Sequence, residues 1–153
     1  RQNPDIIMLG EVRNTEEVTE LLRAAETGHL AISTLHTNTV PSTINRIQNL
    51  FDGNEQRRVM STLADTVRGI GNQILIKDVD GDLFAVRELL TVNDELKSYI
   101  VEGNIPAIRN YQERHGITME HGLAEAYKSG RSTREEVFKH TVHPDYLEEL
   151  IGE

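Results

Sequence analysis

The chain has 153 residues, 37% of them apolar and 27% charged, with a formal charge of −9 and no cysteine. Disulfides and thiolate zinc sites are excluded, and no apolar run approaches the ~20 residues that a membrane-spanning helix needs. An acidic balance without any Lys/Arg run argues against a broad nucleic-acid or anionic-lipid surface.

The chain opens on Arg1-Gln2-Asn3-Pro4 rather than on Met and enters an apolar run within a few residues, which reads as a piece of something longer. Asp5 to Leu9 has the length and composition of a buried strand in a parallel sheet covered on both faces. Asn14, three residues before Glu17, is a helix-start signature, and Val18, Leu21, Leu22 and Ala25 follow at helical spacing. Thr27-Gly28 ends that helix, because glycine accepts a left-handed cap. Leu30 to Leu35 is a second strand. Strand, helix, strand with a connection of this length predicts a parallel crossover.

Pro41-Ser42 opens a helix carrying Ile44, Ile47 and Leu50/Phe51 on one face, and Asp52-Gly53-Asn54 breaks it. Val59, Leu63, Val67 and Ile70 predict a longer helix. Ile74–Ile76 and Leu83–Leu90 flank Asp78-Val79-Asp80-Gly81-Asp82 and predict a β-hairpin. From Asn93 onward the pattern is helical, with Ser132 and Glu135 spaced as a capping box after the break at Ser129-Gly130. The fold class expected is therefore α/β: parallel strands with crossover helices, then a hairpin, then a helical tail. The boundary falls near Thr91–Asn93, giving parts 1–91 and 92–153.

Two candidate residues gather at one edge. Glu11 follows the first strand at its carboxyl end, where ligands bind in open α/β sheets. A carboxylate there can orient a water or help organise a metal at a phosphate; the local pattern by itself favours the plainer reading, a solvated loop residue paired with Arg13. His36 ends the second strand at the same edge. Neighbouring parallel strands lie ~4.8 Å apart, so Glu11 and His36 converge if these strands pair. His29 enters that strand from the opposite end. Thr34, Thr37 and Asn38 surround His36 with small polar groups suited to phosphate oxygens, water or turn formation. The acidic turn at 78–82 fails as a calcium loop, since its sixth and twelfth positions are Leu83 and Leu89 instead of Gly and Glu. His115, His121, His140 and His143 lack ligand spacing and read as surface residues, so no metal site is predicted directly.

The stretch from Arg1 to Arg46 resembles the type II/type IV secretion and type IV pilus ATPase superfamily. The family's Walker B region reads R-Q-x-P-D, four apolar residues, then G-E-x-R-D. Arg1, Gln2, Pro4, Asp5, Gly10, Glu11 and Arg13 match it, while Asn14 replaces the usual Asp. The histidine box T-G-H-L-x-x-x-T-L-H-T is matched at Thr27, Gly28, His29, Leu30, Thr34, Leu35, His36 and Thr37. Further on, Ala107-Ile108-Arg109-Asn110 is similar to the A-I-R-N motif of the PilT-like branch, although Tyr111-Gln112 replace the usual apolar pair after it. Leu63 to Gln73 is similar to the helix that precedes the hairpin in that branch. The absence of a four-cysteine zinc loop also favours a PilT-like or related conjugative-pilus member, whereas Ser33–Asn38 and Pro41-Ser42-Thr43 look closer to the extension and secretion branch.

That resemblance implies the C-terminal part of a RecA-like P-loop NTPase and an ATPase working with ATP and Mg2+. Glu11 would polarise the attacking water, His36 would contact the γ-phosphate and His29 would hold the box in place. Arg13 would stabilise the loop or face a neighbouring subunit, with Thr34 and Thr37 in support. It implies a homo-hexamer in the cytoplasm, peripheral to the inner membrane and docked on pilus or secretion platform proteins, with no nucleic acid partner. No G-x-x-x-x-G-K-[ST] phosphate loop occurs in the chain, so the chain alone is expected to be inactive. The rival expectation is a non-catalytic assembly module that keeps the fold.

Overall fold

The computed structural model describes residues 4–152; Arg1 and Gln2 of the Walker B stretch lie outside them. Strand β1 (Ile6–Leu9) is followed by α1 (Thr15–Glu26) and β2 (Leu30–Ser33). β1 and β2 pair in parallel, with Ile6 opposite Leu30 and Leu9 opposite Ser33. Helix α1 forms where expected, because Asn14 and Glu17 close a reciprocal capping box. It ends at Thr27, and Gly28 takes φ 91°. Val18 and Leu22 turn inward.

One expectation fails here. The β1–β2 pair is covered on one face only: Ile6 is 58% and Met8 68% exposed, and Leu30 and Ile32 lie on the same open face. An unbroken apolar run of four residues cannot distinguish one covered face from two, because it lacks any polar residue to mark the outside.

Helix α2 (Val40–Asn49) has Pro41 in its first turn and a capping box between Thr39 and Ser42. After the break comes α3 (Gly53–Thr66). It is shorter than the apolar spacing predicted. Ile70 lies not on the helix but in β3 (Gly69–Lys77), so the Leu63–Gln73 stretch is half helix and half strand. Ile70, Asn72, Ile74 and Ile76 alternate inward, and the glycines at 69 and 71 favour the extended backbone over helix. β3 pairs antiparallel with β4 (Leu83–Thr91), from Gly69 opposite Thr91 to Lys77 opposite Leu83, which is the predicted hairpin.

Among the described residues five helices follow: α4 (Asp94–Glu102), α5 (Ile105–His115), α6 (Met119–Lys128), α7 (Arg134–His140) and α8 (Pro144–Gly152). The expected cap at Ser132 moves one residue along. Thr133 caps α7 and receives the Glu136 amide. Ser132 is instead buried and donates to the Lys77 carbonyl at 2.6 Å, while the Lys77 amide donates to Glu136 at 3.0 Å. Ser132 and Glu136 thereby fasten the start of α7 to the hairpin.

Apolar side chains form two clusters. The first joins α1, α2 and α3 to α4 and α5 around Ile44, Met60, Leu96, Ile100 and Ile108, with Leu90 from the root of the hairpin. The second packs the far end of the hairpin, Ile76 and Val86, on α6 to α8 through Leu123, Val137 and Leu147. The hairpin thus spans both. Among the described residues no helix is long and apolar enough to cross a membrane.

Helix α4 ends where Gly103 takes φ 64°, and a Cβ there would stand 2.3 Å from the Gln48 side chain of α2. Gly103→Ala should therefore lower stability by about 1–2 kcal/mol from the left-handed backbone alone, with the Gln48 contact adding to it. Urea unfolding of the two proteins decides this; equal midpoints would mean that the tight α2–α4 approach is not as described.

Candidate active site

The rim beyond β1 and β2 is built by continuing their ladder past the ends of the strands. The Val12 amide donates to the Thr34 carbonyl at 2.9 Å, and the Thr34 hydroxyl donates to the Gly10 carbonyl at 2.6 Å. Val12 is buried in the first cluster. These links hold the two loops side by side, so Glu11 and His36 meet: His36 Nε2 lies 3.1 Å from Glu11 Oε1. The other carboxylate oxygen, Oε2, accepts from the Arg13 guanidinium. The catalytic reading and the ion-pair reading of Glu11 thus coexist in one geometry.

Exposure divides the roles. The Glu11 side chain is 24% exposed and that of His36 84%. The hydrogen bond from Arg13 holds the Glu11 carboxyl below the usual carboxylate range; burial opposes this, while the charges of Arg13, His36 and Arg46 reinforce it. A carboxylate with a lowered pKa is a weak proton acceptor. Glu11 suits orienting and polarising a water better than stripping it of a proton. Arg46, on α2, donates to the His36 carbonyl at 3.2 Å and adds a second cation to this rim.

The remaining predicted residues separate. His29 sits at the opposite end of β2, as its position in the strand requires. Its Nδ1 is 3.1 Å from the Ala24 carbonyl and 3.0 Å from the Thr27 hydroxyl, so it ties the α1–β2 turn together. Thr37 leaves the rim: its hydroxyl meets that of Thr43 at 2.6 Å and reaches Asn72 at 3.5 Å. Beside His36, a groove of about 1210 Å³ runs along β2 to the start of β3. Ser33 lines it, and the Ser33 hydroxyl is buried with no partner among the described residues. Of the four outlying histidines, only His115 is fully at the surface. His121 completes the α6 capping box, His140 pairs with Glu136 at 3.1 Å, and His143 is half-buried.

Among the described residues no group of three or more His, Cys, Asp or Glu could hold a metal ion. Glu11 offers one carboxylate at this rim. That donor set suits Mg2+, which is commonly held by one or two carboxylates with water and substrate phosphates.

The sequence reading missed Glu88. It lies on β4 only 3% exposed. One oxygen accepts from the Val40 amide and from Asn72 Nδ2 at 3.0 Å, the other from Gln112 Nε2 at 3.1 Å, and the Met119 amide faces it too. A signal was available. Val86, Glu88 and Leu90 share the inward phase of β4, and a charge in that phase needs partners.

Residues 1–151 match the family described as "Type II/IV secretion system protein". The chain belongs to that family. It is 36% identical over 105 residues to the type IV pilus retraction ATPase PilT of Pseudomonas aeruginosa, covering 69% of this chain and 30% of PilT. It is 32% identical over 156 residues to the type IV pilus ATPase PilU of the same organism, covering 99% of this chain and 41% of PilU. Among solved structures, the pilus retraction motor PilT with bound ADP superposes with TM-score 0.88 at 36% identity, over 97% of this chain and 43% of that one. The Legionella pneumophila ATPase DotB superposes with TM-score 0.84 at 29% identity, over 90% and 38%. The fold is thus that of a PilT-like ATPase, and the chain spans only 30–41% of the length of these two curated relatives.

Glu88 sets a pH dependence. Burial outweighs its hydrogen bonds and raises its pKa above the ordinary 4.5. The folded chain then keeps this proton to higher pH than the unfolded one. Its contribution is complete below about pH 4.5 and declines as pH rises through the raised value. Glu88→Gln removes the titration. Urea midpoints taken from pH 4 upward should show wild type losing ground to Glu88→Gln as pH rises; a pH-independent difference would contradict the assignment.

Proposed function

We propose that this chain is the C-terminal half of an ATP-hydrolysing motor subunit, with Glu11 and His36 at its catalytic rim. The observation that carries this reading is the Glu11–His36 contact at the carboxyl edge of a parallel strand pair. Glu11, kept ionised by Arg13, polarises the water that attacks the γ-phosphate. His36, exposed beside it, contacts that phosphate and registers its departure. Arg13 holds the carboxylate, Thr34 locks the two loops together, and His29 fixes the turn from which β2 starts. Thr37 acts one step back, as an anchor of the histidine loop.

Mg2+, when bound with the nucleotide, neutralises charge on the phosphates, and Glu11 is the residue of this chain that would face it. The backbone cradle for the phosphates must come from outside residues 1–153, since the chain contains no phosphate loop. The open face of Ile6, Met8, Leu30 and Ile32 and the groove along β2 support the same division, because apolar surface of this kind is normally covered. In the proposed assembly the subunits form a homo-hexamer in the cytoplasm, peripheral to the inner membrane, on the platform proteins of a pilus or secretion system.

In the protein that joins this chain to a phosphate loop, Glu11→Gln should lower turnover at least about 100-fold while leaving the ATP dissociation constant within about threefold. Phosphate release and equilibrium binding are the measurements. Turnover that survives Glu11→Gln would overturn the catalytic role of Glu11, whereas a wild-type protein without turnover would leave the assembly module as the better reading. Residues 1–153 alone should release phosphate no faster than buffer.

A further inference from the structure

His36 is held by little of its own. Its side chain is 84% exposed, so its position follows from the backbone between Thr34 and Thr39. The upstream end of that loop is locked to β1 through Thr34. The downstream end passes directly into α2, whose first amides need acceptors. The Thr39 hydroxyl takes the Ser42 amide. The Val40 amide goes to Glu88, 48 residues away in sequence. A carboxylate at this end also meets the positive pole of the helix.

The same carboxylate serves a second helix. Its other oxygen takes Gln112 of α5, and Asn72, bonded to Glu88, also reaches Thr37 beside His36. A cleft of about 520 Å³ opens between α2 and α5 with Glu88 among its lining, next to Arg109 and Asn110 of the A-I-R-N stretch. Gln112, one of the two residues that depart from the usual apolar pair after that stretch, is 2% exposed and supplies the bond from α5.

We propose that Glu88 is a positioning residue for the ATPase site, joining the start of α2, and with it the histidine loop, to α5 through one shared carboxylate. This rests on the reading of His36 as the nucleotide-facing group. Glu88 lies outside the rim formed by Glu11 and His36. It sets where His36 stands, and a displacement of α5 is passed to the loop through the Gln112 bond.

The test uses the full-length protein in four forms besides wild type: Glu88→Ala, Glu88→Gln, Gln112→Met and Glu11→Gln. ATP turnover is measured with amide hydrogen exchange and thermal unfolding. Glu88→Ala should lower kcat about tenfold or more with KM within about twofold, and speed exchange across residues 35–43 while β1 and β2 stay protected. Glu88→Gln keeps an acceptor for Val40 and Asn72 and should recover kcat to within about threefold of wild type. Should Glu88→Ala not fold, Gln112→Met decides: Gln112 lies on α5, away from the histidine loop, yet its loss should lower kcat without raising KM. Wild-type kcat and wild-type exchange at 35–43 in a folded Glu88→Ala or Gln112→Met protein would overturn the proposal. Full turnover in Glu11→Gln would sink the reading of the Glu11–His36 rim as the catalytic centre instead, and the exchange pattern would still decide the part played by Glu88.

Discussion

The arrangement on which the site depends is a ladder that does not stop where the strands stop. Parallel pairing of β1 and β2 fixes Leu9 opposite Ser33. The Val12–Thr34 and Thr34–Gly10 bonds then carry the register into the loops. Without them, two short loops leaving neighbouring strands would diverge, since each has its own helix to enter. With them, a carboxylate two residues past one strand and an imidazole three residues past the other are brought within 3.1 Å. The buried side chain of Val12 anchors this extension in the first apolar cluster, so the rim draws its rigidity from the core and not from the exposed ion pairs, which are worth little in water.

Helix starts supply the second layer of order. Asn14, Thr39, Asn93, Asn104, Thr118 and Thr133 each place a side-chain oxygen on an early helix amide. Such caps are local and contribute on the order of 1 kcal/mol each. Glu88 differs because its acceptor capacity is spent across elements: α2, β3 and α5 all converge on it. Losing a buried acceptor with several donors costs more than losing a cap, because every donor left behind is desolvated without a partner.

Most of the fold was legible because its signals are local. The Asn14–Glu17 box, the Gly28 break, the strand–helix–strand order and the hairpin around the acidic turn all depend on residues within a few positions of one another. The same holds in part for the rim: Glu11 and His36 each stand at the end of an apolar run, and parallel pairing puts both at one edge, while the bonds through Thr34 bring them together. What was not legible required knowledge of neighbours. The exposed face of Ile6 and Met8 depends on what lies over it. Ser132 failed as a cap because Lys77 claims it. Ile70 sits three residues after Val67, a spacing that suits a helix until the strand opposite is known. The buried position of Glu88 was written in the alternation of β4, but its purpose lay in Val40 and Gln112, far away in sequence.

The two layers meet at a chemical mismatch. A histidine 84% exposed lies in a high-dielectric setting, where its interaction with a phosphate is weak. Strong electrostatic stabilisation needs the same groups with water excluded. Nothing within the described residues covers His36, and the groove beside it is open along β2. In the proposed motor, turnover therefore requires another surface to close over this rim. Glu11 would be ready beforehand, since Arg13 already holds it ionised and the extended ladder already holds it in place. His36 would be the member that changes its surroundings on closure. A site divided in this way, with one group preorganised and one left waiting, would make hydrolysis conditional on assembly without any rearrangement of the core.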